Sequence, residues 1–158
     1  MGVGRPETAE WPRGVVGSGG VSITPTIRDF LVQLEDLLDR SPPAGLDRDA
    51  MTITTGDAVA LVRLPHVAEH DRDIEIEVDD HRIKVAYLPE RVTFTSPDEA
   101  LRFVEMLCAG RVELEITRGP LWTTMRSYRD GQDIPFRRTR MPWPSLRPRA
   151  ERRRVGFG

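Results

Sequence analysis

The chain has one cysteine, one lysine and few aromatic residues, and each scarcity excludes something. Cys108 alone cannot form an intramolecular disulfide, and it rules out a paired-cysteine zinc ribbon. With aromatics at 6%, aliphatic side chains must supply most of any core. No apolar run approaches the roughly 20 residues a membrane-spanning helix needs; the longest is Ala58 to Val62. The first 20 residues lack the charged and apolar regions of a secretory leader. These features together give the expectation of a cytoplasmic protein with no membrane partner. Lys84 is the only lysine, so basic charge is almost wholly guanidinium, which is read first as codon usage of a GC-rich genome.

What is present is 158 residues with 39% hydrophobic and 30% charged side chains, enough for one domain. The net charge of −2 hides an asymmetry. Residues 137–158 hold eight arginines against Glu151, so that segment is +7 and the rest is −9. An acidic body with a basic end is a statement about partners.

Residues 1–24 are rich in glycine, proline and serine without periodicity, which predicts an unordered end. Ile27, Phe30, Leu31, Leu34, Leu37 and Leu38 then make one stripe at helical spacing, predicting a helix over about 26–39. Thr24 with Pro25, or Thr26, starts it, and Ser41 to Gly45 ends it. Strands are predicted over 51–55 and 58–64 around a turn at Gly56-Asp57. A polar loop follows over 65–72.

Ile74, Ile76 and Val78 alternate with acids, and Ile83, Val85 and Tyr87 alternate with Lys84 and Ala86. A two-residue turn at Asp80-His81 pairs Val78 with Ile83, Ile76 with Val85 and Ile74 with Tyr87. It also sets Glu77 against Lys84 and Asp79 against Arg82, so both faces match. A short strand over 91–95 precedes the second helix, where Ser96, Pro97 and Glu99 form a capping box. Its inner face is read as Ala100, Leu101, Val104, Leu107 and Cys108, and Gly110 closes it. Val112, Leu114 and Ile116 mark another strand. Residues 121–128 fit helix or strand. A hairpin setting Leu114 against Met125 and Glu113 against Arg126 favours strand. Beyond residue 130 no period survives.

The expectation is an α+β fold: a mainly antiparallel sheet of about 5–7 strands with two helices on one face. The order is helix, four or five strands, helix, two strands. The domain would occupy 25–130, between an unordered 1–24 and an unordered arginine-rich 131–158. This order resembles small acidic chaperone-like and adaptor folds, a resemblance that implies a binding role.

Four constellations bear on chemistry. His66-Val67-Ala68-Glu69-His70 spells an inverted zinc-peptidase motif, which needs both histidines on one face of a stable helix. Pro65 before it and a strand just after leave room for barely one turn. A metal there would take Asp71, Asp73 or His81 as further ligands. No catalytic residue, metal or cofactor is assigned, and a small metal-dependent hydrolase using His66, Glu69 and His70 stays as an alternative. Cys108 falls on the apolar face of its helix near the C-terminal end, which reads as core rather than nucleophile.

Glu75, Glu77, Glu113 and Glu115, with Asp79, belong on solvent faces of their strands. If those strands are neighbours, they form an acidic patch for a basic protein partner. Arg137, Arg138, Arg140, Arg152, Arg153 and Arg154, with Trp143 and Phe157, make a basic segment able to bind nucleic-acid phosphates or to fold back on the acids. The leading expectation is a non-enzymatic binding or adaptor module acting through the acidic sheet face. Nucleic-acid binding through the arginine-rich end is the alternative.

Overall fold

A computed structural model describes residues 15–17, 23–56, 58–142 and 149–157. Most of the end predicted to be unordered, 1–14 and 18–22, and the Trp143 segment, 143–148, lie outside the described residues. Along the chain the elements are β1 (Val15–Gly17), α1 (Pro25–Arg40), β2 (Thr52–Gly56), β3 (Val59–Leu64), a 3-10 turn (His70–Arg72), β4 (Ile74–Asp79), β5 (Ile83–Tyr87) and β6 (Glu90–Phe94). Then come α2 (Pro97–Cys108), β7 (Val112–Arg118), β8 (Thr123–Arg129), β9 (Arg137–Met141) and β10 (Arg149–Val155). The fold is α+β and mostly antiparallel.

Both helices follow their local signals. Thr24 caps α1 by accepting from the Ile27 N–H, Pro25 takes the first helical position, and all six residues of the apolar stripe are buried. Ser96 caps α2 by accepting from the Glu99 N–H, and Gly110 closes it at φ 64. The buried face of α2 is Ala100, Phe103, Val104 and Leu107, while Leu101 and Cys108 are only half-buried.

The strands form two sheets rather than one. β2 to β6 run in sequential antiparallel order, and β1 adds a short parallel strand beside β2. The second sheet is ordered β10-β7-β8-β9. The β4–β5 register is the one the alternation of charge and apolarity dictates: Ile74 opposite Tyr87, Ile76 opposite Val85, Glu77 opposite Lys84, Val78 opposite Ile83. The β7–β8 hairpin differs by two residues from the expected one, with Leu114 opposite Ser127 and Ile116 opposite Met125. Its turn centres on Pro120 and Leu121, where proline's missing N–H and fixed φ suit the first central position. Gly119 donates back to the Trp122 carbonyl. An even shift keeps every side chain on its own face.

The segment 131–158, expected to lack structure, instead supplies β9 and β10, both paired antiparallel in the second sheet. Likewise, residues 15–17 form β1 within the end predicted to be unordered. Val155 and Phe157 join the same core as both helices and both sheets. Gly156 passes so close to α2, at φ 79, that a Cβ there would lie 2.2 Å from the Leu107 carbonyl oxygen. The Phe157 N–H donates to that carbonyl at 3.0 Å, so the end of the chain caps the end of α2.

Between the sheets lies a small polar junction. The Tyr87 hydroxyl and Ser127 Oγ are 3.0 Å apart and buried. Beside them the Glu90 carboxylate accepts from Arg137 Nε at 2.6 Å and from Thr139 Oγ1 at 3.0 Å, tying β6 to β9.

Candidate functional site

The histidine motif is a structural loop. No helix forms over 66–69, because Pro65 and β4 bracket a segment too short for one. His66 is buried, and its Nδ1 accepts from the N–H groups of Ala68 at 3.1 Å and Glu69 at 3.0 Å. Its Nε2 edge abuts Gly45, where a Cβ would lie 2.6 Å away, and its ring stacks on Phe157 at 5.8 Å. His70 is exposed and opens the 3-10 turn. Of the further candidate ligands, Asp73 accepts from the His66 N–H and from Arg63, Asp71 pairs with Arg153, and His81 is exposed in the β4–β5 turn. Among the described residues no cluster of three or more histidine, cysteine or acidic side chains is placed to hold a metal. Burial, with Glu105 nearby, pushes the Cys108 thiol up to about 12, which suppresses the thiolate a nucleophile requires.

The four glutamates are not one patch. Glu75 and Glu77 lie on β4 of the first sheet, and Glu113 and Glu115 on β7 of the second. Alternation along a strand assigns side chains to faces, but it does not say which strands share a sheet. Three of the four are also compensated within the chain. Glu77 pairs with Lys84 at 2.5 Å, and Glu115 pairs with Arg126 at 2.8 Å. Glu113 pairs with Arg152 at 2.6 Å. Glu75 stands opposite Arg63 in register.

The six arginines divide by the alternation of their strands. Arg137, on the inner side of β9, holds Glu90; Arg153, opposite Leu114 in β10, reaches Asp71 at 2.8 Å. Arg152 pairs with Glu113, and its guanidinium lies 4.7 Å over the Tyr128 ring. Arg138, Arg140 and Arg154 are exposed and make no ion pair among the described residues. Of these six arginines Arg152 alone pairs with one of the four glutamates, while Arg137 and Arg153 pair with acids outside that set, Glu90 and Asp71.

The outer face of the second sheet gathers what is left. Across it run Arg154, Glu113 and Tyr128 in one row, and Arg152, Glu115, Arg126 and Arg138 in the next; a third row has Thr117, Thr124 and Arg140. Five guanidinium groups face two carboxylates. Hydrogen bonding to Glu115 raises the Arg126 pKa above its already high ordinary value, so the face keeps its positive charge at any physiological pH. Arg126 and Tyr128, both part of this surface, carry no sequence signal beyond their place in a strand. Elsewhere, α1 and α2 border an open groove of about 840 Å³ whose rim mixes Asp36, Asp39, Asp98 and Glu105 with Arg40 and Arg102.

No family model, no characterised protein and no solved structure matches this chain. Among the described residues no helix is long and apolar enough to cross a membrane.

Proposed function

We propose that the chain is a non-enzymatic binding module that holds an anionic partner on the outer face of its second sheet. The observation that carries this reading is the set Arg138, Arg140 and Arg154: three exposed guanidinium groups without an ion pair, on a face whose two glutamates are already engaged. Clustered charge of one sign concentrates oppositely charged ligands and speeds their encounter. The basic partner first expected for Glu113 is provided within the chain by Arg152, so the surface open to a partner has the opposite sign. A polypeptide carrying carboxylates fits this face better than a single-stranded nucleic acid. Within the rows that carry the arginines the aromatic ring is Tyr128, 8% exposed beneath Arg152, so bases have no stacking platform between these cations; the exposed Trp122 lies outside those rows, in the β7–β8 turn.

The test is binding of poly-glutamate at low and physiological salt, to the native chain and to the triple variant R138Q/R140Q/R154Q. The native chain is expected to bind with steep salt dependence. The triple variant should lose that binding yet melt normally, since none of the three side chains holds the fold. Absence of binding to the native chain at low salt would remove the proposal.

A further inference from the structure

We infer that the partner is an extended acidic segment that adds as a fifth strand beside β9, with carboxylates at alternate positions. This inference rests on the anionic-partner reading and specifies its mode. β9 ends the order of its sheet among the described residues. The direction of its backbone groups follows from the ladder. The Asp130 N–H donates to the Arg111 carbonyl and the Gly119 N–H to the Trp122 carbonyl. Those bonds flank Val112 opposite Arg129 and Arg118 opposite Thr123, which are therefore non-hydrogen-bonded pairs of β7–β8. Residues 123, 125 and 127 of β8 thus turn their N–H and C=O toward β9, where they meet Met141, Thr139 and Arg137. The Phe136 N–H, donating to the Ser127 carbonyl, fits the same phase.

By alternation, Arg138 and Arg140 turn their N–H and C=O away from β8, toward the open edge. The same two residues carry the exposed guanidinium groups. Their side chains recur along the strand every roughly 7 Å, the repeat of any strand laid beside them. A segment with acids at i and i+2 would therefore satisfy two backbone pairs and two charges with the same residues.

Charge pattern selects this edge. On the outer faces, four of the other ladders set acid beside base: Arg152 and Arg154 opposite Glu115 and Glu113, Glu115 opposite Arg126, Glu77 opposite Lys84, Arg63 opposite Glu75. Across β8–β9 Arg126 stands opposite Arg138, a like-charge pair in which Arg126 is already held by Glu115 while Arg138 has no acid beside it among the described residues. β10, the other edge, already has its acids in β7. Strand addition gives affinity through the main chain and specificity through alternate side chains.

Three probes test the inference: a fluorescein-labelled octapeptide alternating glutamate and threonine, the same peptide N-methylated at alternate residues, and a ten-nucleotide oligo-dT. The native chain should bind the first peptide and lose it on N-methylation. Arg138→Gln and Arg140→Gln should each weaken it about two- to five-fold. Arg140→Pro removes only an edge-facing N–H beyond the charge, a change edge strands accept. It should weaken the peptide a further roughly five-fold relative to Arg140→Gln. If both peptides bind alike, or oligo-dT binds more tightly than either, strand addition is overturned while the anionic-partner reading stands. If no probe binds at low salt, both fall.

Discussion

Arg137 lies in a segment whose composition suggests a loose end, yet its guanidinium meets a carboxylate that is 3% exposed. Truncation as R137M would leave Glu90 with the Thr139 hydroxyl as its remaining side-chain partner among the described residues. Removing one member of a fully buried pair costs about 3–5 kcal/mol. Arg137 itself is 38% exposed, so water can enter from its side and hydrate the abandoned carboxylate in part. The expected loss is therefore about 2–3 kcal/mol. At about 2–4 °C per kcal/mol for a chain of this size, the melting midpoint should fall by about 4–12 °C. E90Q keeps hydrogen-bonding capacity and leaves Arg137 partly hydrated, so it should cost only about 1 kcal/mol. In the double variant the buried charge is gone, and the two losses should fail to add by about 1–2 kcal/mol. Urea unfolding followed by circular dichroism at neutral pH measures all four corners of this cycle. An R137M variant within about 0.5 kcal/mol of the native chain, or strict additivity, would refute the docking of β9 against β6.

Three other perturbations probe the remaining joints. Gly156→Ala drives a Cβ into the Leu107 carbonyl at a positive φ, so urea unfolding should register a loss of at least about 1–3 kcal/mol from backbone strain alone. Hydrogen exchange should show the Phe157 amide losing protection in the same variant. Tyr87→Phe strands the buried Ser127 hydroxyl at a cost of about 1 kcal/mol, and adding Ser127→Ala should recover most of that loss. Burial pushes the Tyr87 hydroxyl up to about 12, so ultraviolet titration of the folded chain should show one tyrosine resisting ionisation to that range. Glu35 has its carboxyl pKa raised by burial, then by Asp39. The folded state therefore binds that proton more tightly than the unfolded one, and stability falls as pH rises through the window above the ordinary carboxylate pKa. Glu35→Gln, neutral throughout, should melt higher than the native chain at neutral pH, with the gap closing in acid.

Much of the architecture was legible because its determinants are local. A capping serine or threonine and an apolar stripe, six buried residues in α1 and four in α2, define each helix within a dozen or so positions. The β4–β5 register follows from alternating signs within fourteen residues. β9 and β10 were not legible, because their inward positions are Arg137, Thr139 and Met141 in one and Glu151, Arg153 and Val155 in the other. Arginine stems can cover apolar neighbours while their heads find charge elsewhere. The carboxylates that make these positions tolerable, Glu90 and Asp71, lie 47 and 82 residues away in the chain. The one local hint was the Val155-Gly156-Phe157 ending, whose two apolar side chains enter the core.

The same alternation explains why the candidate site was half visible. Composition marks 137–158 as a single block of positive charge, and a block invites a single role. Pleating splits it. Three of the six candidate arginines turn inward or find a neighbouring acid: Arg137 with Glu90, Arg153 with Asp71, Arg152 with Glu113. These three serve the fold, and their substitution is a question of stability. Arg138, Arg140 and Arg154 hold nothing in place, yet Arg138 stands directly against Arg126 in the sheet. An acid at position 138 would meet Arg126 favourably from β9, as Glu115 does from β7. That the chain carries a cation there, on the strand whose edge is open, is the physical reason for seeking the missing acid in another molecule.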